Sequence, residues 1–184
     1  MRIIAGRFRG TALAAVGKGD ADAHLRPTSD RVRESLFSML THRDVIEGAR
    51  VLDLFAGTGA LGLEALSRGA REVCFVESGR VGQRLIRENI EKLRVEKETT
   101  LMRNDATRLG AWPNAPFDLV FLDPPYGKGM GERALAALRD GGWITAEALV
   151  VWEENAPMAA PDGFERVETR KYGDTHITLL ELAT

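Results

Sequence analysis

Residues 51–62 read Val51-Leu-Asp-Leu-Phe-Ala-Gly-Thr-Gly-Ala-Leu-Gly62, an apolar run that breaks into a glycine-rich turn and then into helix-forming residues. Strand, tight turn and helix in immediate succession open a βαβ unit. Gly57, Gly59 and Gly62 have the Gly-x-Gly-x-x-Gly spacing of a nucleotide-cofactor pocket. The glycines let the backbone approach a ligand, while Glu77, ending the next apolar run from Glu72, can accept both hydroxyls of a ribose. Val81, Leu85, Ile86, Ile90 and Leu93 then recur at helical spacing. Further strands are predicted over 99–103, 117–122 and 148–152, and a helix over 129–139 closed by Gly141-Gly142. A hairpin of 164–171 with 175–182 is predicted around Gly173-Asp174. Strands alternating with helices through right-handed crossovers predict an α/β fold: an open, doubly wound, mostly parallel sheet whose ligands bind beyond the carboxyl ends of its strands.

The fourth strand carries a second signal. In Phe117-Asp-Leu-Val-Phe-Leu-Asp-Pro-Pro-Tyr126, Leu119 to Leu122 show no alternation of polarity, so the strand is expected to be covered on both faces, with Asp118 near its entrance. Proline cannot donate to a ladder and fixes its own φ, so Pro124 and Pro125 end the strand and hold Asp123 and Tyr126 in one geometry. A carboxylate, a carbonyl left free by the prolines and an aromatic face suit a planar ring bearing an exocyclic amine. The amine donates to the two oxygens while the ring stacks on the aromatic.

Composition sets the frame. With 184 residues, 44% hydrophobic and 28% charged, the chain is long enough for one sizeable core. Its single cysteine, Cys74, lies in an apolar run, which excludes an internal disulfide or zinc framework and fits a reducing setting. No apolar run approaches a membrane span, and Met-Arg-Ile-Ile-Ala-Gly-Arg lacks a signal-peptide core, so a cytoplasmic protein is expected. His24, His42 and His176 show no ligand spacing, and no metal is expected. The net charge of −2 hides nine Lys/Arg against six Asp/Glu in residues 1–50, a basic segment on an acidic body that suggests a polyanion partner.

Within that segment, Arg2 to Leu13, with Gly6 and Gly10 as turn points, predicts a hairpin, and Gly17 to His24 a flexible loop. Thr28 or Ser29 can cap the helix after it, with Asp30 in the first turn. Val32, Leu36, Met39 and Leu40 form its apolar stripe, while Arg31 and Arg33 are expected to project elsewhere, into solvent or onto a ligand.

A dinucleotide would satisfy the glycine spacing, but Asp53 inside the first strand would repel a pyrophosphate and welcome a cofactor with a cationic amino-acid end, such as S-adenosylmethionine. Asp105, after Asn104 at the end of the third strand, either accepts from an adenine amine or caps the next turn.

Asp53-Leu-Phe-Ala-Gly-Thr-Gly59, Glu77, Asp105 and Asp123-Pro-Pro-Tyr126, in that order, resemble the class I S-adenosylmethionine-dependent methyltransferases of the amino-methylating type. Two N-terminal stretches narrow this: the Arg-x-Ile-Ala-Gly-x-x-Arg-Gly pattern within residues 1–10, and Arg26-Pro-Thr-Ser-Asp-Arg-Val-Arg-Glu-Ser-Leu-Phe37. They resemble the RsmD family, which methylates the N2 amine of a guanine in small-subunit (16S) ribosomal RNA, and the similarity covers essentially the whole chain. The resemblance implies a seven-stranded Rossmann-like methyltransferase sheet with a small N-terminal β-hairpin extension. Residues 1–25 would be the RNA-contacting extension and residues 26–184 the methyltransferase domain. It implies S-adenosylmethionine bound by Asp53, Phe55, Gly57, Thr58, Gly59, Glu77, Ser78, Asp105, Ala106 and Asp123, with Asp123, Pro124, Pro125 and Tyr126 holding the target base. A base must be unstacked to reach that clamp, and Arg7, Arg9, Arg26, Arg31 and Lys128 are the candidate contacts to neighbouring RNA. The expected partner is small-subunit ribosomal RNA or an assembling 30S particle, met by a monomer. The rival readings are a DNA adenine-N6 methyltransferase with the same clamp, a non-catalytic RNA-binding assembly factor, and a nicotinamide dehydrogenase, which would leave Asp123-Pro-Pro-Tyr126 unexplained.

Overall fold

The computed structural model describes residues 1–17, 25 and 27–184; the loop expected over 17–24 lies, from residue 18 on, outside them, as does Arg26. In chain order the elements are α1 (Asp30–His42), β1 (Arg50–Leu54), α2 (Ala60–Ser67), β2 (Glu72–Val76), α3 (Arg80–Leu93), β3 (Thr99–Met102), β4 (Phe117–Leu122), α4 (Met130–Gly141), β5 (Ile144–Glu154), β6 (Phe164–Tyr172) and β7 (Thr175–Leu182). The seven strands form one sheet in the order β3-β2-β1-β4-β5-β7-β6. The first five pair in parallel, and β7 joins antiparallel to both β5 and β6. The chain winds outward from β1 to β3, then returns to lay β4 on the other side of β1. The carboxyl ends of β1 and β4 therefore flank the point where winding reverses, which is where such sheets bind ligands.

Both faces are covered. Phe37, Leu40, Leu63, Leu66, Phe75, Ile86 and Phe121 bury one face under α1, α2 and α3. Leu52, Leu54, Val120, Leu122, Leu135, Leu138 and Trp152 bury the other under α4. Leu119 to Leu122 are wholly buried, as their unbroken apolarity requires, and each such side chain contributes about 1.5–3 kcal/mol. Asp118, at the entrance of β4, accepts the Arg50 backbone N–H at 2.9 Å. Among the described residues no helix is long and apolar enough to cross a membrane.

Two expectations change. Arg33 does not project from α1 into solvent: it is fully buried, pairing through Nη1 with the equally buried Glu64 at 3.2 Å and through Nη2 with Asp30 and the Arg2 carbonyl. A buried charge is tolerated when paired and hydrogen-bonded in this way. The expected N-terminal hairpin is present: Arg2 bridges Ala12, the Ile3 N–H donates to the Thr11 carbonyl and the Leu13 N–H to the Met1 carbonyl, both at 2.9 Å, while the Ile4 and Ala5 N–H groups donate to Glu64 on α2. Ile3 and Leu13 thereby join the main core. Finally, β5 extends past the expected 148–152, reaching back to pair Ile144 with Phe117 and forward through Glu153 and Glu154.

Candidate active site

A cavity of about 490 Å³ opens at the carboxyl ends of β1, β2 and β4, lined among others by Asp53, Phe55, Gly57, Thr58, Glu77, Ser78, Asp123, Pro124, Pro125, Tyr126 and Lys128. The glycine-rich turn and the Asp-Pro-Pro-Tyr segment thus face one space.

Asp53 is the fourth residue of β1 and is 1% exposed. Its Oδ2 accepts the Gly62 N–H at 2.9 Å, so the first turn of α2 clips it. A Cβ at Gly62 would lie 2.6 Å from Phe75 and 2.7 Å from Val73, so the absence of a side chain there is what brings helix and strand together. Burial, opposed by the Gly62 hydrogen bond and assisted by the charge of Glu77, pushes the Asp53 carboxyl up to about 8. The turn between β1 and α2 takes Gly57 (φ 59°) and Gly59 (φ 80°) through the left-handed region that glycine adopts without cost. Phe55 is also left-handed (φ 54°), an uncommon conformation for an aromatic residue, held in the cavity wall.

Glu77 comes directly after β2 and is 9% exposed. Oε1 accepts the Gly57 N–H at 2.7 Å and Oε2 the Gly79 N–H at 2.8 Å, which fixes the carboxylate across the mouth of the glycine turn. A Cβ at Gly82 would lie 2.8 Å from Glu77 Cγ, so α3 closes on the acid only because residue 82 is glycine. The buried Asn89 of α3 also secures the turn, its Nδ2 donating to the Thr58 carbonyl at 3.0 Å.

On the other side, Asp123 is half-buried, Pro124 buried and Pro125 exposed, the segment leaving β4 directly from the buried Leu122. Two adjacent acids ending β5 hold the Tyr126-Gly127 stretch. The Tyr126 hydroxyl donates to Glu153 Oε1 at 3.5 Å, and the Gly127 N–H donates to Glu154 Oε1 at 3.3 Å. Successive strand residues point to opposite faces, so the loop after the prolines is gripped from both sides of the sheet. Glu153 Oε2 also accepts the Thr28 hydroxyl at 3.0 Å, fastening the segment before α1 to the same wall. Sequence reasoning missed Glu153, Glu154, Asn89 and Gly82; the available signal was two acids continuing an apolar parallel strand at the edge where the site lies.

Other sequence-predicted residues are dispersed. Asp105 caps the 3-10 turn Ala106–Arg108, its Oδ1 accepting from Thr107 N at 2.8 Å and Thr107 Oγ1 at 2.7 Å, and these bonds hold its carboxyl below the ordinary range. Asp105 and the buried Ala106 do not line the cavity, nor does Gly59, which serves as the N-cap of α2. Lys128 reaches the wall, and Arg31 is exposed on α1. Arg7 and Arg9 are not brought there: the Arg7 N–H donates to Ser67, the last residue of α2, and its side chain pairs with Glu98. That is the opposite end of α2, about 12 Å along its axis from the cavity.

Asp53 makes stability depend on pH. Its folded carboxyl binds a proton more tightly than the unfolded one, so the stability it contributes is present at low pH and is lost as pH rises from about 4 to about 8. Compared with Asp53→Asn, the wild type without ligand is expected to lose melting temperature progressively over that window. Parallel pH profiles for the two proteins in thermal melts would refute the assignment.

The family described as "Conserved hypothetical protein 95" matches residues 1–181. A relative from Escherichia coli (strain K12), "Ribosomal RNA small subunit methyltransferase D", is 41% identical over 88% of this chain and 78% of its own length. The protein of the same description from Haemophilus influenzae is 35% identical over 94% of this chain and 89% of its own. Among solved structures, the yhhF protein of Escherichia coli superposes with a TM-score of 0.82 at 34% identity, covering 99% of this chain and 97% of that one.

Proposed function

The chain belongs to the RsmD family, and from that membership we propose that it transfers a methyl group from S-adenosylmethionine to the exocyclic N2 of a guanine in small-subunit ribosomal RNA. The observation that carries the reading is the opening of the Asp123-Pro-Pro-Tyr126 clamp onto the same cavity as Asp53 and Glu77, at the point where the winding of the sheet reverses.

The donor set fits the cofactor. Asp53 is a desolvated acid whose ionised form a cationic amino-acid end would favour, and Glu77 is a fixed carboxylate with lone pairs left for ribose hydroxyls. Phe55, Gly57, Thr58 and Ser78 supply the adjoining wall. When bound, the cofactor supplies an electrophilic methyl group on a sulfonium sulfur.

The chain must make the amine nucleophilic. The N2 lone pair of guanine is delocalised into the ring, and two acceptors draw the nitrogen toward sp³ geometry. Asp123 and the Pro124 carbonyl accept its two N–H bonds, Tyr126 stacks on the ring, and Pro125 stiffens the turn between them. As the new C–N bond formed, the methyl's bond to the sulfonium sulfur would break, leaving a neutral thioether, and Asp123, hydrogen-bonded to the nitrogen, is placed to take the proton the amine releases. A base held this way has left its stack, so contacts to neighbouring RNA must offset the unstacking. Offering labelled S-adenosylmethionine with either unmethylated 30S particles or duplex DNA tests the acceptor. Label is expected in the ribosomal RNA, and label in DNA alone would replace this reading with a DNA methyltransferase.

A further inference from the structure

Of the described cations expected to contact RNA, Lys128 lines the cavity while Arg7 lies at the far end of α2, but another set gathers near the cavity. Arg103 comes directly after β3, Arg108 ends the 3-10 turn, Lys128 lines the cavity and Arg133 lies in the first turn of α4; all four are exposed. Two observations bring Arg108, Lys128 and Arg133 together, and Arg103 stands two positions before Asp105 in the chain. Arg133 Nη2 donates to the Lys128 carbonyl at 3.5 Å, and the Asp105 carboxylate feels the charges of both Arg108 and Arg133. None of the four forms an ion pair with a described residue, whereas Arg7, Arg43, Arg50, Arg68, Arg139 and Arg170 are each paired with an acid. On a chain of net charge −2, four exposed cations around one capping acid beside the cavity are a local positive surface.

We propose that Arg103, Arg108, Lys128 and Arg133 form the docking surface for the sugar-phosphate backbone flanking the target nucleotide, an inference that rests on ribosomal RNA being the substrate. Among the described residues these cations have no ion pair to surrender on binding, and neutralising phosphates with them releases condensed counterions. Their position suits the task as well. Lys128 lies five residues beyond Asp123 on the same cavity wall, so backbone held there is backbone beside the clamped base. Sequence in the RNA would be read by the clamp and by RNA shape, and this surface would set register and affinity.

The experiment measures binding of unmethylated 30S particles across a series of salt concentrations for the wild type, for Arg103→Glu/Arg108→Glu/Arg133→Glu and for the neutral Arg103→Gln/Arg108→Gln/Arg133→Gln. S-adenosylmethionine affinity and thermal melting are tracked in parallel. Expected are an affinity loss of at least tenfold in both triples, larger in the reversal, and a salt slope shallower by about two. Cofactor affinity should stay within about threefold of wild type. The neutral triple keeps the test decisive if the reversal does not fold. Wild-type affinity and slope in the triples would overturn the proposal, and so would a larger loss in Arg7→Ala/Arg9→Ala than in either triple. A wild type that neither binds nor methylates the particles would instead remove the ribosomal RNA reading beneath it.

Discussion

Asp123→Ala is expected to lower kcat for methyl transfer by about 10²–10³, the cost of losing one preorganised acceptor aimed at a reacting group, with cofactor affinity changed by less than about tenfold. The size reflects how the residue is held. Leu122 before it is fully buried and Pro124 after it is buried, so the carboxylate cannot be replaced by a neighbour swinging inward. Water in its place would not be fixed toward the amine. Asp123→Asn keeps one oxygen acceptor but adds an N–H pair facing a donor, so its loss should approach that of alanine, whereas Tyr126→Phe keeps the ring face and should cost far less. Single-turnover rates with S-adenosylmethionine binding measured alongside would check the series. Equal losses in Asp123→Ala and Tyr126→Phe would refute the assigned division of labour.

Glu64→Ala is expected to cost about 3–5 kcal/mol of stability, because it leaves Arg33 charged in the interior with its principal partner removed. Glu64 is fully buried and accepts from four groups: Ile4 N at 2.9 Å, Ala5 N at 3.2 Å, Arg33 Nη1 at 3.2 Å and Arg68 Nε at 2.9 Å. One carboxylate therefore ties the N-terminal segment to α1 and α2. For a chain of this length the loss corresponds to a fall in melting temperature of about 10 °C. Arg33 lines the cavity proposed to hold the cofactor, so cofactor affinity should fall as well. Replacing both charges together, Arg33→Met with Glu64→Leu, should cost less than the sum of the single changes, since no unpaired charge remains. A melting temperature within about 2 °C of wild type for Glu64→Ala, the shift that roughly 1 kcal/mol produces, would contradict the network.

Much of this architecture was legible in the chain because it is written locally. The apolar run 51–55 breaking into Gly57 and Gly59 is a strand–turn–helix whatever lies around it, and Leu119 to Leu122 with two prolines soon after is a buried strand that must stop. The residues misread or missed depend on partners distant in sequence. Arg33 looks like solvated surface until Glu64, 31 positions away, is folded against it. Glu153 and Glu154 have no local reason to be buried, and acquire one only when β5 lands beside β4 and meets Tyr126 and Gly127. Arg7 and Arg9 share a basic segment in sequence, yet the run along α2 carries them to the far end of the helix. Net charge per segment cannot distinguish a basic loop from a basic face.

The decisive measurement incubates the purified protein with S-adenosylmethionine carrying a labelled methyl group and 30S particles lacking small-subunit methylation, then digests the ribosomal RNA and identifies the labelled nucleoside. Label in N2-methylguanosine, absent with Asp123→Ala, is the predicted result. Label in any other nucleoside, or none from a protein that still binds the particle, would contradict it.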